Sequence, residues 1–250
     1  MNTLAIIQAR TGSTRLPGKV LKKIFNKTVI EHVVERVNLA KKIDKVFVAT
    51  THKEEDLPLI KICVDAGFNI FCGSEKDVLD RFYQIAKLEK PKLIVRITSD
   101  CPVIDPDIID LVITQHINFN ADYTSNTMNI PFPDGQDVEV FSFDTLEKAW
   151  KNSILLSDRE HVTPYIKFNK ESFKLHFIES TKDLSSLRLT LDEEVDLKLI
   201  EIIYNNLYEK NNYFGMKEIL TLFNEQPELV DINSMLVREA GYLKSLKEDA

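Results

Sequence analysis

The loop that follows the first apolar segment of the chain carries a concentration of positive charge. Residues 9–19 read ARTGSTRLPGK and include Arg10, Arg15 and Lys19. Arginine and lysine side chains bind phosphate oxygens, and glycines let an anion approach the backbone closely. Because cations crowded into one loop repel one another, we expect this loop to hold a triphosphate; the alternative is a solvated basic loop. The expected contacts in the loop also include Ala9, Thr11, Gly12 and Ser13.

Two familiar phosphate-binding patterns do not describe this loop. A P-loop has four residues between its glycines, and a serine or threonine follows its lysine. Here five residues separate Gly12 from Gly18, one of them is Pro17, and Val20 follows Lys19. The dinucleotide pattern G-x-G-x-x-G is absent from the sequence. The loop therefore belongs to neither class.

Two aspartates are predicted to lie at the carboxyl ends of strands, where open α/β sheets bind their ligands. Asp100 ends the segment IVRITSD, and Asp192 ends LRLTLD. Magnesium is usually held by one or two carboxylates together with substrate phosphates, so both residues are candidate Mg²⁺ ligands. The alternative is that each caps the helix that follows. We expect Asp105 to be a helix cap and Asp196 to be a charge on a helix surface.

Strand and helix signals alternate along the chain, and this alternation predicts an α/β fold with a mostly parallel sheet and helices on both faces. The predicted strands are 4–8, 45–51, 68–73, 92–100, 138–143, 173–179 and 187–191. The predicted helices are 28–43, 56–67, 75–90, 107–117, 144–152, 158–168 and 193–208. Residues 1–210 are expected to form one domain, and 211–250 a helical C-terminal extension packed on it.

The composition excludes several classes of protein. A net charge of -7 argues against a general nucleic-acid binder. No stretch approaches the ~20 apolar residues of a membrane span, and no signal segment is found, so we expect a cytoplasmic protein without a membrane partner. Cys63, Cys72 and Cys101 show no metal-binding spacing and are expected to be buried free thiols.

Six segments in order along residues 4 to about 200 resemble the cytidylyltransferase family of sugar nucleotide biosynthesis, and in particular its branch of spore coat polysaccharide biosynthesis protein F-like enzymes. They are IIQARTGSTRLPGKVL, GSEKDVLDRFYQ, RITSDCPVID, DGQDVEVFSFDTLEKAW, SDREHVTPYI and LRLTLDEEVDLKLI. The family includes the CMP-Kdo and CMP-sialic acid synthetases. The resemblance implies a Rossmann-like sheet of the nucleotide-diphospho-sugar transferase type, a homodimer, and metal binding by Asp100 and Asp192.

Further nucleotide contacts are assigned by position. Ser74 and Arg81 lie in the segment that resembles the family's nucleoside-contacting loop. Ser74 is equally well explained as a helix cap, and Arg81 as a solvated charge on a helix. Arg96 shares the predicted strand face of Asp100 and is added to the nucleotide contacts.

The acceptor contacts are less specific. Asp137 and Glu139 share one face of a predicted strand and are candidates to meet sugar hydroxyls; a surface strand explains them as well. Arg159 and His161 are candidates to hold an acidic substrate, since Ser157 and Glu160 already form a capping-box pattern. An interior histidine with satisfied hydrogen bonds is the other interpretation of His161.

The expected reaction is Mg²⁺-dependent transfer of CMP from CTP to a sugar or sugar-acid acceptor, with release of pyrophosphate. Arg10, Arg15, Lys19 and Asp100 are the expected catalytic residues. Two alternatives remain: the same fold acting with another nucleoside triphosphate on a sugar phosphate, and a non-catalytic nucleotide-binding module of a polysaccharide assembly system. The presence of both Asp100 and Asp192 favours catalysis.

Overall fold

The computed structural model describes residues 2–127, 131–179 and 182–236, together with residues 238, 245, 246 and 249. Its strands are β1 (Thr3–Gln8), β2 (Lys23–Ile24), β3 (Lys27–Thr28), β4 (Lys45–Thr51), β5 (Asn69–Gly73), β6 (Leu93–Thr98), β7 (Tyr123–Ser125), β8 (Glu139–Ser142) and β9 (Leu175–Phe177). Its helices are α1 (Val29–Asn38), α2 (Leu57–Asp65), α3 (Val78–Glu89), α4 (Pro106–Phe119), α5 (Phe143–Asn152), α6 (Leu156–His161), α7 (Pro164–Phe168), α8 (Glu194–Leu207) and α9 (Met216–Glu225).

In the described part of the chain the central sheet has seven strands, in the order β5-β4-β1-β6-β8-β7-β9. The strands β5, β4, β1 and β6 are parallel to one another. Strand β8 is antiparallel to both β6 and β7, and β9 pairs with β7 in parallel. The predicted mostly parallel α/β fold is therefore confirmed. Strands β2 and β3 form a separate antiparallel hairpin.

The first strand is apolar throughout because it is covered on both faces. Ala5 and Ile7 pack in one core with residues of α1, α4, α8 and α9, whereas Leu4 and Ile6 pack in a second core with residues of α3, α5 and α7. All four side chains are buried. Strands buried on both faces give continuous apolar runs rather than alternating ones.

The order of the strands fixes where a ligand can bind. Strand β1 lies between β4, which follows it along the chain, and β6, which the chain reaches only after β5. Ligands of open α/β sheets bind outside the carboxyl ends of the strands at such a reversal of strand order. The carboxyl ends of β1 and β6 lead directly into the basic loop and into Asp100.

Most predicted helix starts are confirmed, with one shift. The Glu31 carboxylate accepts a hydrogen bond from the backbone N–H of Thr28, 2.7 Å away, at the start of α1. Asp105 caps α4, as predicted. Helix α3 begins at Val78, later than predicted, because Asp77 provides the cap.

Two predicted elements differ in the structure. Residues 187–191 are not a strand: Arg188 makes an isolated parallel bridge with Asp134, and the segment runs beside the end of β6. The predicted helix 158–168 is divided into α6 and α7. Val162 lies between them with φ of 71°, a left-handed conformation that ends a helix.

The described segment from Phe214 to Leu229 packs on the same core as β1. Phe214 and Ile219 are fully buried in the core that contains Ala5 of β1. Further on, the Asp249 carboxylate accepts a hydrogen bond from the N–H of Ser157 at 3.1 Å. The predicted capping box at Ser157 is wrong, because Ser157 lies inside α6 and the residue before that helix is Leu155.

Cys63 and Cys101 are buried free thiols, as predicted, but Cys72 is exposed. The prediction fails for Cys72 because β5 is the edge strand of the sheet, which the short apolar run could not reveal. Among the described residues, no helix combines the length and apolar character needed to cross a bilayer.

Candidate active site

Two adjoining cavities open at the carboxyl ends of β1 and β6. The first, of about 310 Å³, is lined by Ala9, Arg10, Gly12, Ser13, Thr14, Lys19, Glu75, Val78, Arg81, Ser99, Glu160 and Ser245. The second, of about 330 Å³, is lined by Arg96, Thr127, Asp134, Asp137, Glu139, Thr163, Pro164, Lys167, Phe168 and Thr190. Both cavities are also lined by a shared wall of Gln8, Arg15, Thr98, Asp100, His161 and Asp192. Two ligands bound side by side would meet at this wall.

The basic loop is folded back on itself and anchored from below. Gly18 adopts a left-handed conformation with φ of 66°, and its N–H donates to the carbonyl of Thr11 at 3.0 Å. The N–H and the hydroxyl of Thr11 both donate to Asp56, each at 2.7 Å. Thr51 donates to the same fully buried carboxylate. This fixes the loop above the sheet.

Asp56 is a site-supporting residue that the sequence reasoning missed, since nothing near it in sequence links it to the loop. The finding also corrects the role predicted for Thr11. Its hydroxyl points to Asp56, and Thr11 is not among the described residues that line either cavity. It holds the loop rather than the ligand.

The two candidate metal ligands meet at a single cation. The Lys19 ammonium lies 2.8 Å from Asp100 Oδ2 and 2.8 Å from Asp192 Oδ1. Arg15 is 2.8 Å from the other carboxylate oxygen of Asp192. The residues predicted from two distant segments are thus brought together at the shared wall.

Asp192 reaches this position without being part of a strand. The N–H of Leu191 donates to the backbone carbonyl of Asp100 at 2.8 Å, which ties the end of residues 187–191 to the end of β6. The residue that precedes α8 is Glu193, so the alternative of Asp192 as the helix cap does not hold. Its carboxylate is directed to Lys19 and Arg15 instead.

The backbone around Asp192 is held by a buried ion pair. Asp196 is fully buried, and its carboxylate accepts hydrogen bonds from the N–H groups of Asp192 and Glu193, both at 2.9 Å. Arg188 Nε donates to Asp196 at 2.9 Å. The prediction that Asp196 is a charge on the helix surface is therefore wrong. The spacing of apolar residues along α8 could not reveal that Asp196 has a partner outside the helix.

The charges at the shared wall stabilise one another. Burial alone would raise the pKa of Asp100, but the Lys19 ammonium and its hydrogen bond lower that pKa to about 2. Burial alone would lower the pKa of Lys19, but the charges of Asp100 and Asp192 outweigh it and raise that pKa. The contact between Lys19 and Asp100 therefore favours the charged form of both groups.

The far end of the first cavity combines one buried and one exposed arginine. Arg10 lies 3.6 Å from Glu75 and 3.7 Å from Glu160. Arg81 is buried, donates to the carbonyl of Ala49 at 3.0 Å and lines the cavity. Burial, and then the charge of Arg10, lower the pKa of Arg81 to about 10. Arg81 is thus not a solvated charge.

Of the two interpretations of Ser74, a nucleotide contact and a helix cap, the structure is closer to the second. Its hydroxyl accepts a hydrogen bond from the N–H of Asp77 at 3.2 Å, just before α3. The described lining of the two cavities includes the neighbouring Glu75 but not Ser74. Ser74 therefore stabilises the turn that brings Glu75 to the cavity.

The second cavity contains a buried carboxylate with several donors around it. Glu139 is 1% exposed. Its carboxylate accepts hydrogen bonds from Arg96, Tyr123 and Thr163. It also forms an ion pair with the Lys167 ammonium, 2.7 Å away. Burial alone would raise the pKa of Glu139, but the charges of Lys167 and Arg96 hold it well below its usual range. Glu139 therefore orients these two cations rather than accepting hydrogen bonds from a sugar.

This geometry also corrects the prediction for Arg96. Its Nε donates to Gln8 Oε1 at 3.0 Å and its terminal nitrogen contacts Glu139. Arg96 lines the second cavity, and the described lining of the first does not include it. The antiparallel pairing of β6 with β8 brings Arg96 opposite Glu139, a pairing that the sequence could not indicate.

Two further carboxylates line the second cavity. Asp137, which was predicted, and Asp134, which was missed, both line it. Arg238 lies 2.6 Å from Asp137, and Arg188 lies 2.7 Å from Asp134. Burial and then the charge of Asp137 raise the pKa of Asp134 to about 7. Burial also raises the pKa of Asp137.

The two residues predicted to hold an acidic substrate separate in the structure. His161 lines both cavities, whereas Arg159 is not among the described residues that line either. The Arg159 guanidinium binds the Asp77 carboxylate at 3.0 Å and the carbonyl of Trp150 at 2.7 Å. The prediction for Arg159 therefore does not hold, because this arginine links α5 and α6 to the start of α3.

The shared wall has the donor chemistry of a Mg²⁺ site. Asp100 and Asp192 offer hard carboxylate oxygens that already converge on one positive charge. Among the described residues, no group of three or more His, Cys, Asp or Glu side chains is arranged to hold a metal. A metal here would depend on these two carboxylates and on ligand oxygens, which is the usual pattern for Mg²⁺ with a nucleotide.

Comparisons with known proteins identify the family of the chain. A family model described as Cytidylyltransferase matches residues 4–229. An uncharacterized protein of Methanocaldococcus jannaschii is 42% identical over 244 residues, which cover 97% of this chain and 98% of the relative. The spore coat polysaccharide biosynthesis protein SpsF of Bacillus subtilis is 35% identical over 232 residues, covering 90% of this chain and 95% of the relative.

A solved structure extends the likeness to three dimensions. The structure of a cytidylyltransferase from Leptospira borgpetersenii serovar Hardjo-bovis superposes with a TM-score of 0.87 at 31% identity. The match covers 92% of this chain and 97% of the other. Sequence and fold therefore point to the same relatives over nearly the whole chain.

Proposed function

The chain belongs to the cytidylyltransferase family, a family of nucleotidyltransferases, and from this membership we propose that it transfers CMP from CTP to a sugar or sugar-acid acceptor with release of pyrophosphate. The observation that supports this reaction most directly is the meeting of Lys19, Asp100 and Asp192 at the wall between two cavities. Two substrates held on either side of that wall would be joined there.

The first cavity is the proposed site of the nucleotide. Arg10, Arg15 and Lys19 offset the charge of the triphosphate, and the backbone at Gly12 and Ser13 lies along the same cavity. Arginine forks and an ammonium suit phosphate oxygens. Val78 and Arg81 line the remaining wall, where the nucleoside would be accommodated.

The second cavity is the proposed site of the acceptor. Arg96 and Lys167 share the single carboxylate of Glu139, which leaves one side of the cavity with an excess of positive charge for an acidic group. Asp134 and Asp137 also line this cavity and suit the hydroxyl groups of a sugar. The name of the Bacillus subtilis relative supports an acceptor used in surface polysaccharide synthesis.

Asp100 and Asp192 are the residues that would hold Mg²⁺. When bound, Mg²⁺ would neutralise phosphate charge and lower the pKa of the attacking hydroxyl. Lys19 already places a positive charge against both carboxylates, so the pair is arranged for a cation.

The contribution of the chain itself is positioning and charge stabilisation. The two cavities hold the acceptor oxygen and the α-phosphorus close together, and such positioning can supply a large part of a rate enhancement. Arg15 and Lys19 would stabilise the charge that develops on the departing pyrophosphate. Burial, and then the charge of Arg96, lower the pKa of His161 to about 4, so His161 meets both substrates as a neutral imidazole.

A pyrophosphate-release assay tests this function. The purified protein is incubated with CTP, UTP, GTP or ATP and a panel of acidic sugars, with MgCl₂ or with EDTA, and the products are examined by mass spectrometry. We expect release with CTP and one of the sugars, dependent on Mg²⁺, with a CMP adduct of the acceptor. If the protein prefers another nucleotide, that nucleotide and not CTP is the donor. If no combination of nucleotide and sugar gives an adduct, the proposal is contradicted.

The homodimer implied by the resemblance and the cytoplasmic location expected from the sequence remain proposals. Light scattering of the purified protein at several concentrations tests the first, and a mass of about twice 28.8 kDa is expected. A concentration-independent monomer mass would contradict it. Cell fractionation tests the second.

A further inference from the structure

Among the described residues near the end of the chain, Ser245 reaches the first cavity. Ser245 is 6% exposed and lines this cavity together with Glu160 and His161. The match to the family model ends at residue 229, so Ser245 lies outside the matched part of the chain. The family match therefore does not account for the presence of Ser245 in the cavity.

The Ser245 hydroxyl bridges two residues of α6. Ser245 Oγ donates to Glu160 Oε2 at 2.8 Å, and His161 Nε2 lies 3.0 Å from Ser245 Oγ. A carboxylate oxygen can only accept, so the hydroxyl proton lies toward Glu160. The hydroxyl oxygen is then the acceptor for His161, which places the imidazole proton on Nε2.

Each of the two bridged residues faces a part of the proposed nucleotide site. The other carboxylate oxygen of Glu160 is 3.7 Å from Arg10, in the basic loop. His161 lies on the wall that both cavities share. Ser245 thereby fixes one oxygen of Glu160, leaves the other for Arg10, and sets the orientation of the imidazole.

The segment that carries Ser245 has a second attachment to the same helix. Asp249 accepts a hydrogen bond from the N–H of Ser157 at 3.1 Å. Ser245 therefore does not approach α6 through one contact alone; the two bonds join the C-terminal residues to both ends of α6.

We propose that Ser245 is a positioning residue of the nucleotide site, which orients Glu160 and His161 for binding of a nucleoside triphosphate. This inference rests on the proposed function of the first cavity and assigns a role to the C-terminal extension. It predicts that the hydroxyl of Ser245 affects the affinity for the nucleotide without affecting the fold.

The test is isothermal titration calorimetry of the full-length protein with CTP and MgCl₂. Ser245→Ala is compared with the wild type and with Ser234→Ala, a matched control in the same extension whose exposed hydroxyl bonds only to a nearby carbonyl among the described contacts. We expect the Kd of Ser245→Ala to rise about five- to tenfold, the effect of losing one or two hydrogen bonds. The Kd of Ser234→Ala should not change.

Two further measurements separate positioning from structural damage. The circular dichroism spectrum and a cooperative unfolding transition without ligand should be retained in Ser245→Ala and Ser234→Ala. In a background that lacks both partners of the hydroxyl, Glu160→Ala with His161→Ala, Ser245→Ala should weaken binding by less than about twofold. An unchanged Kd for Ser245→Ala, or full additivity with that double variant, would overturn the inference. A wild type that binds no CTP would instead overturn the proposed function.

Discussion

Asp100, Asp192 and Lys19 form a compact group of charges in which each residue depends on the others. The ammonium satisfies both carboxylates at 2.8 Å, and the low pKa of Asp100 follows from that contact. Removing one member leaves the remaining charges unbalanced in a partly buried place, which is more damaging than the loss of one surface ion pair. Single substitutions in this group should therefore have large effects on turnover.

The first prediction concerns Asp100. Asp100→Asn keeps the size of the side chain and removes the charge that would hold Mg²⁺, so turnover should fall at least about 100-fold while most of the affinity for CTP remains. Pyrophosphate release and calorimetry measure the two quantities. Asp65→Asn, on the exposed surface of α2, is the matched control. Turnover within threefold of the wild type would refute the metal assignment.

The second prediction concerns Arg15, which contacts Asp192 and lines both cavities. Arg15→Ala should lower the rate about 100-fold, because the transition state loses one donor to the developing phosphate charge. The comparison is Lys22→Ala, a neighbouring cation paired with Glu194 on the surface. A rate loss smaller than about threefold would count against this role.

At the scale of elements, the site depends on segments that are distant in sequence but lie side by side. Gly135 follows Asp134 where the chain pairs with residues 187–191, and its φ is 92°. A Cβ at this position would lie 2.5 Å from the backbone of Leu189, so a side chain would push the segment that carries Asp192 away. The close approach of the two backbones thus sets the position of Asp192, one of the two carboxylates proposed to hold Mg²⁺.

The third prediction follows from this contact. Gly135→Ala should lower the free energy of unfolding by more than about 2 kcal/mol, because the clash is with backbone rather than with the end of a flexible side chain. Gly67→Ala is the control: its φ is 72°, but no described atom lies within 4 Å of the added Cβ. Strain alone should reduce its stability by about 1 kcal/mol. Urea unfolding of both variants measures the difference, and equal losses would contradict the packing explanation.

At the scale of the whole molecule, buried histidines link stability to pH. His116 in α4 is 4% exposed and lies 3.0 Å from the hydroxyl of Thr124. Burial lowers its pKa to about 4. The unfolded chain, with an ordinary histidine pKa near 6.5, binds a proton that the folded chain refuses, so this contribution to stability is present above pH 6.5 and is lost as the pH falls toward 4.

The fourth prediction is the size of this effect. Between pH 7 and pH 5, His116 should remove about 2 kcal/mol from the free energy of unfolding. The quantity to measure is the change in unfolding free energy between these pH values, for the wild type and for His116→Asn. The variant is less stable at pH 7 but should show a change smaller by about that amount. The control is the substitution of the exposed His52 by Asn, which should give the same difference in unfolding free energy between pH 7 and pH 5 as the wild type. Equal differences for the wild type and both variants would exclude His116 as the cause.

The amino-acid sequence by itself determined the elements whose signals are local. The apolar run of β1, the capping contact of Glu31 with Thr28 and the basic loop after the first strand could all be predicted, because each depends on residues a few positions apart. The motifs also led to Asp100 and Asp192, although the second was assigned to a strand that does not form.

The tertiary structure alone decided which charges meet. Arg159 binds Asp77, Arg96 binds Glu139, and Asp196 is buried against Arg188 rather than exposed. The type of a residue indicates that a buried charge needs a partner. Which partner it has depends on strand order and packing, because these bring together positions far apart in the chain. For the same reason the contributions of Asp56 and Ser245 to the site became visible only when the chain was folded, since neither has a local pattern that distinguishes it.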